Sequence, residues 1–268
     1  MKDKLILYNH FHNGDIFYSR IIANLLKEYF NIKYYHNLKS PLFEDIPEIE
    51  EIVGIPSGYD VHGTNYEKNI VNTWVGQKGM HYVSYQPVPG CSFNNHFKLA
   101  SDVFNFYKIN IIEKKECLPV IFFDNLKNCN KIKEKLQNFR EKYKVIILVC
   151  DGDVNSGQSF NFDFVPIIES IASNQNCLFL STNKNYENKT NIINTYPIIT
   201  ETLPDLLSIG LISRYCDIIV GRASGPVCYT HTRDNFDDEN KTFIAFSHNE
   251  TEGIFYSEGK NKNVWSNN

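Results

Sequence analysis

The run Asp217-Ile-Ile-Val-Gly-Arg-Ala-Ser-Gly-Pro226 constrains the fold of this chain more than any other segment. Asp217 to Val220 is apolar and rich in β-branched residues, as a strand covered on both faces requires. Gly221 and Gly225 bracket a turn of small residues, and Pro226 suits the first turn of a helix, where its missing N–H costs nothing. Ser224 is placed to cap that helix. A Gly-rich turn between a parallel strand and a helix offers backbone amides to an anion, and Arg222 adds a cation within it. The segment reads as a site for a nucleotide diphosphate or another anion.

The same alternation runs along the chain. Lys4–Tyr8 reads as a strand, Asn9–Asp15 as a turn, Ile16–Phe30 as an amphipathic helix ended by Asn31, and Ile32–Tyr35 as a second strand. Between Asn37 and Cys117 the pattern weakens, with a short helix at Ser101–Tyr107. A Lys-rich helix at Asn125–Lys144 leads into a second series: strand Val145–Cys150, loop Asp151–Ser159, helix Asp163–Ser173, strand Cys177–Ser181, a short strand near Asn191–Ile193 and helix Pro204–Arg214. The strand–turn–helix at 217–226 and a strand at Thr242–Phe246 complete it, and the polar tail after Lys260 is expected to fray. The expectation is an α/β protein of two Rossmann-like, doubly wound parallel-sheet halves facing a cleft, residues 1–125 and 126–268.

Bulk properties narrow the function. A net charge of −4 with no Lys/Arg stripe argues against nucleic-acid binding. The seven cysteines, at 91, 117, 129, 150, 177, 216 and 228, form no CxxC pair and read as thiols of a reducing cytoplasm. No apolar run reaches membrane-spanning length, and the N-terminus reads as a strand rather than a signal peptide, which leaves peripheral membrane contact open. The first turn lacks GxGxxG spacing, which disfavours an oxidoreductase.

The layout resembles GT-B glycosyltransferases, and most closely the heptosyltransferase-like family 9 enzymes of bacterial glycan assembly. The matching residues are the strand Leu5–Tyr8 with Gly14-Asp15 before a helix, and in the second half the helix Asp205–Arg214, the run Asp217-Ile-Ile-Val-Gly221 and the turn Ser224-Gly225-Pro226. The chain departs from the family in lacking a Lys in the loop Asp151–Ser159, in carrying Arg222-Ala-Ser224-Gly225 where an Asp-Ser/Thr-Gly triplet is usual, and in being shorter.

The resemblance implies metal-independent, inverting transfer of a hexosyl or heptosyl group from a nucleotide sugar to a glycan or lipid-linked acceptor, without a cofactor. Asp15 is then the general base on the acceptor hydroxyl; its position equally fits an N-cap of the Ile16 helix. Arg222, Ser224 and Gly225, together with Ser156, Gly157 and Gln158, would bind the donor diphosphate. Thr182, Asn183 and Glu201 are candidate nucleoside contacts. His10, His12, Asn13, Asn72 and Trp74 form a candidate acceptor wall, since Trp beside Asn suits sugar rings. No metal site is expected, because His10 and His12 have no third ligand nearby. Arg20 reads as a surface or inter-domain residue within reach of an anionic acceptor. Two other readings stay open: a nucleotide-sugar epimerase or hydrolase, and a non-catalytic nucleotide- or glycan-binding protein.

Overall fold

The computed structural model describes residues 2–266 apart from 12, 62, 76–91, 110–117, 128, 155–158, 173–175, 184–189, 197, 200–204, 248–255 and 257, and leaves the side chains of 92–95 and 205 undescribed. The chain forms two compact units, one from Met1 to Asn125 and one from Leu126 that includes the C-terminal strand.

In the first unit, β1 (Asp3–Asn9), β2 (Phe30–His36), β3 (Ile49–Val53) and β4 (Ile70–Asn72) form a parallel sheet in the order β3-β2-β1-β4. Leu5, Leu7 and Tyr8 of β1 are almost fully buried, as are Ile32 and Tyr34 of β2. Helix α1 (Asn13–Leu26) packs Ile16, Phe17, Ile22, Ala23 and Leu26 into the core, and α2 (Ser92–Phe106) contributes Leu99, Val103 and Phe104. The apolar periodicity expected of Ile16–Phe30 holds as far as Leu26, with Phe30 opening β2, but the helix begins at Asn13. Asp15 sits inside its first turn rather than at its cap, where a carboxylate still favours the positive end of the helix dipole.

In the second unit, α3 (Cys129–Lys142) precedes β5 (Val145–Cys150), followed by α4 (Val165–Ile171), β6 (Cys177–Ser181), β7 (Ile192–Asn194) and α5 (Asp205–Arg214). Then come β8 (Ile218–Arg222), α6 (Gly225–Cys228), α7 (Arg233–Asp237), β9 (Thr242–Phe246) and β10 (Lys262–Ser266). The sheet is parallel, in the order β10-β9-β8-β5-β6-β7. One face buries Val149, Phe179 and Ile192 against Phe164, Ile168 and Ala172 around α4.

Three departures from the sequence reading have local causes. The tail after Lys260 does not fray: residues 262–266 extend the sheet, Val264 opposite Ile244. Lys262, Asn263 and Val264 are exposed and Trp265 and Ser266 partly covered, as on an edge strand, which its backbone pairs to β9. β3 went unread for the same reason; its Glu50 and Glu51 disguise a strand whose carboxylates pair with Lys33 (2.5 Å) and His36 (2.7 Å) of β2. Arg20 is not at the surface. It is 1% exposed, paired with the buried Asp45 at 2.5 Å, and lies over the rings of Phe17 and Phe43. It also donates to the carbonyls of Leu42 and Val120.

Each sheet has one place where the chain order reverses. In the first, the chain runs outward from β1 to β2 and β3, then returns to β4 on the other side. In the second, it runs from β5 to β6 and β7, then returns to β8 on β5's free side. Ligands of open parallel sheets bind beyond the carboxyl ends of the strands at such switch points. The β1/β4 and β5/β8 ends are therefore where sites should be sought.

Candidate functional sites at the two switch points

At the β1/β4 point, two turns are built alike. Asn9, the last residue of β1, accepts a hydrogen bond on its side-chain oxygen from the Phe11 amide (2.9 Å). Asn72, the last residue of β4, does the same for the Trp74 amide (2.9 Å). The Asn9 side-chain amide donates to Thr73 Oγ1 (3.3 Å), which ties the turns together. Such Asx turns let a polar side chain replace backbone bonding where a strand ends. The result is that Phe11 and Trp74, both half-buried, stack with ring centroids 3.9 Å apart and planes 21° from parallel.

Beneath the turns, the Tyr34 hydroxyl bonds Thr73 Oγ1 (2.8 Å) and Ser19 Oγ (2.5 Å), and Ser19 donates to the Ile16 carbonyl (2.7 Å). Burial pushes the Tyr34 phenol well above its ordinary pKa; its Ser19 and Thr73 bonds pull it down, and the nearby Asp15 carboxylate pushes it up again. Asp15 itself is half-buried in the first turn of α1. His10 bonds the Tyr59 carbonyl (3.1 Å) and packs edge-on against Tyr8, which itself stacks on Tyr59.

Of the expected acceptor residues, His10 packs on Tyr8 and bonds Tyr59, Asn13 opens α1, Trp74 stacks on Phe11, and His12 lies outside the described residues. Asn72 has a different task. It is 2% exposed, and its side-chain amide donates to Val61 (2.5 Å) and Asp60 (3.4 Å), so it builds the wall rather than facing a ligand. Phe11, half-buried, takes the place beside Trp74. Its signal was in the sequence, since Asn9-His-Phe11 and Asn72-Thr-Trp74 repeat the pattern Asn, any residue, aromatic.

At the β5/β8 point, Gly221 pairs with Cys150. A Cβ at Gly221 would fall 2.7 Å from Cys150 Cβ and from Val227 Cγ2, so only glycine permits this approach of strand and helix. Arg222 is turned inward. It is 1% exposed and donates to the carbonyls of Asp151 (2.8 Å), Gly152 (3.1 Å), Phe160 (3.2 Å) and Phe162. The guanidinium also lies 5.0 Å from the Phe162 ring centroid and 4.7 Å from that of Phe164. These carbonyls engage Nε, Nη1 and Nη2 of Arg222 and give the expected diphosphate residue a structural task. It draws together both ends of the loop that follows β5. Asn161 reinforces that neck, bonding the amide and carbonyl of Val154 (2.8 and 3.1 Å).

Asp151, 1% exposed, organises the next strand end. Its carboxylate accepts from Ser181 Oγ (2.8 Å), Thr182 Oγ1 (3.3 Å) and the Asn183 amide (2.9 Å). Thr182 is held by this bond, whereas Asn183 is exposed. Ser224 stands in extended backbone before α6, and its hydroxyl makes no capping bond. Its oxygen is buried without a hydrogen-bond partner, beside Gly225 and Pro226. Ser156, Gly157, Gln158 and Glu201 lie outside the described residues. Among the described residues no group of three or more His, Cys, Asp or Glu could hold a metal ion, and no helix is long and apolar enough to cross a membrane.

No protein-family profile and no curated protein matches this chain. Solved structures do. A family 9 glycosyl transferase from Veillonella parvula matches 98% of this chain and 86% of its own, with a TM-score of 0.55 and 10% identity. The E. coli heptosyltransferase WaaC, solved with ADP, matches 98% of this chain and 93% of its own, with a TM-score of 0.55 and 5% identity. The iron-containing dodecameric glycosyltransferase TibC from enterotoxigenic E. coli is matched over 97% of this chain and 63% of its own, at 0.50 and 11%. At such identities the likeness is one of fold: the α/β architecture is that of GT-B glycosyltransferases, as the resemblance implied.

Proposed function

We propose that this chain, whose fold is that of family 9 glycosyltransferases, moves a sugar from a nucleotide-sugar donor to a glycan precursor, without a metal and with inversion. The observation that carries the reading is the Ser224 hydroxyl, buried without a partner at the β5/β8 switch point. A buried polar group left unpaired costs about 1–3 kcal/mol, a cost that a ligand oxygen would remove. The solved heptosyltransferase carrying ADP supports a nucleoside diphosphate as that ligand.

In this reading, Ser224 and Gly225 contact the diphosphate. Arg222, bonded to the carbonyls of Asp151, Gly152, Phe160 and Phe162, lends the site positive potential, and Ser156, Gly157 and Gln158 are further diphosphate contacts. Asn183 and Glu201 are the nucleoside contacts, with Thr182 held by Asp151. In the first unit Asp15 removes the proton of the acceptor hydroxyl, whose oxygen then attacks the anomeric carbon as the C–O bond to the diphosphate breaks.

The test is a thermal-shift screen of nucleoside diphosphates and nucleotide sugars, where a bound ligand raises the midpoint. Ser224→Ala should leave the unliganded protein as stable or slightly more stable, while weakening the best nucleotide about tenfold. A screen in which no nucleotide stabilises the protein overturns the reading. With a binding donor identified, Asp15→Asn should lower transfer at least about a hundredfold while binding persists; near-normal turnover removes Asp15 from the mechanism.

A further inference from the structure

We infer that the first unit carries a further binding site, at the opposite end of α1 from Asp15, which takes a zwitterionic amino acid with a large apolar side chain. A cavity of about 390 Å³ opens there, within the range of small-molecule sites. Its lining comes from the end of α1 and the turn after it, from Phe104 near the end of α2, from Ile109, and from Phe122. Tyr29 of that lining directly precedes β2, so the cavity sits at the amino-terminal ends of the strands, away from the β1/β4 switch point. Asp15 and Asn24 are nine residues apart on one helix, roughly 14 Å along its axis.

Helical spacing sorts the lining into two rows. The Lys27 and Tyr29 amides bond the carbonyls of Ala23 and Leu26 (3.0 and 2.9 Å), so the turn carries on from the helix. Asn24 and Glu28, four apart with Lys27 between them, make a polar row; Leu25 and Tyr29, also four apart, make an apolar one. Phe104, which is 1% exposed, closes the apolar side with Ile109 and Phe122. These walls are fixed from behind. The Ile109 amide bonds the Phe104 carbonyl (2.9 Å), and the Phe122 amide bonds the buried Asp45 carboxylate (2.9 Å), itself paired with Arg20.

The polar row calls for both signs of charge in a ligand. The Lys27 ammonium lies 5.6 Å from the Phe122 ring centroid and 3.5 Å from the carboxylate of Glu48, whose side chain is 58% exposed. So solvated a pairing is weak, and the ammonium can take a ligand carboxylate. Glu28 is exposed at the rim, and the negative end of the α1 dipole lies beside it; both favour an ammonium. The Asn24 side-chain oxygen is buried without a hydrogen-bond partner, and turning that amide toward the cavity offers it to the same N–H groups. A carboxylate and an ammonium on one carbon beside an apolar group meet all of these demands at once. A fatty acid would leave Asn24 and Glu28 unanswered, and a simple amine would leave Lys27 so.

Calorimetric titration of the full chain tests this. L-phenylalanine or L-leucine should bind saturably, while phenylacetate and phenethylamine, each lacking one charge, should bind at least about tenfold more weakly. Lys27→Gln removes the ammonium and should weaken the amino acid at least about tenfold, with the far-UV circular dichroism of the wild type retained. Leu25→Trp fills the cavity and should abolish binding. No saturable binding of either amino acid overturns the inference. So does phenylacetate binding as tightly as phenylalanine, which would mark a site for apolar anions. Amino-acid binding that persists in both variants places the ligand elsewhere and overturns the inference as well. A nucleotide screen without a hit defeats the transfer reading alone, since no residue of this cavity takes part in it.

Discussion

At the scale of single residues, buried cations decide much of how this protein is held together. Arg222 donates to four carbonyls and lies over two aromatic rings. Arg222→Met keeps the bulk but leaves those carbonyls without donors, and should cost about 3 kcal/mol, read from the urea midpoint. An unchanged midpoint would mean that the guanidinium does not hold the loop. Lys241 has the same character. Its ammonium, 1% exposed, donates to the Ser213 (2.8 Å) and Cys216 (2.6 Å) carbonyls at the end of α5, and burial lowers its pKa. His231 is a buried base of another kind. Burial pushes its imidazole from the ordinary 6.5 down to about 3. Between those values the unfolded chain takes up a proton that the native state refuses. This contribution to stability is thus complete above pH 6.5 and lost as the pH falls toward about 3. His231→Phe should flatten the acid limb of the stability curve by up to about 1.4 kcal/mol per pH unit, seen by comparing urea midpoints at pH 7 and pH 5.

Among the elements, strand ends carry the sites and strand edges carry the surprises. Gly221→Ala should destabilise by several kcal/mol, about 3 or more, because its Cβ would meet Cys150 Cβ at 2.7 Å and the Cys150 carbonyl oxygen at 2.8 Å, neither of them a flexible tip. A wild-type melting temperature for that variant would show that β8 and β5 can separate at this point. Removing residues 262–268 should expose the edge of β9, lower the midpoint and raise light scattering on concentration, since an unpaired edge templates further pairing. The inner strands and most helices were legible because their signal is local: Asp217-Ile-Ile-Val and Val145–Cys150 are apolar wherever they occur. β3 and β10 were not, since an edge strand needs only backbone partners and can carry Glu, Lys and Asn. Arg140 shows how such local elements are then locked. It binds both carboxylate oxygens of Asp217 (2.6 and 2.8 Å), and although burial alone would raise the Asp217 pKa, these bonds and the Ile146 amide hold it below the ordinary range.

For the whole molecule, two sheets with separate cores imply separable behaviour. Trp74 lies in the first unit and Trp265 in the second. Single-tryptophan variants should therefore report two distinct urea transitions, and a nucleoside diphosphate should raise the Trp265 transition more than the Trp74 transition. Coincident transitions that respond equally would make the chain one cooperative block. The sequence by itself determined the α/β alternation and the glycine-bracketed turn at 221–225, because apolar periodicity and glycine sterics act within a few residues. It also put Asp15 at a strand-to-helix turn. Only the tertiary structure decided which polar side chains face inward: Arg222 reaches carbonyls 60 to 71 residues upstream, Arg20 reaches Asp45, and Asn72 turns to Val61, leaving Phe11 beside Trp74. A polar side chain carries no mark of the partner that will satisfy it; that partner exists only once distant strands have brought their ends together.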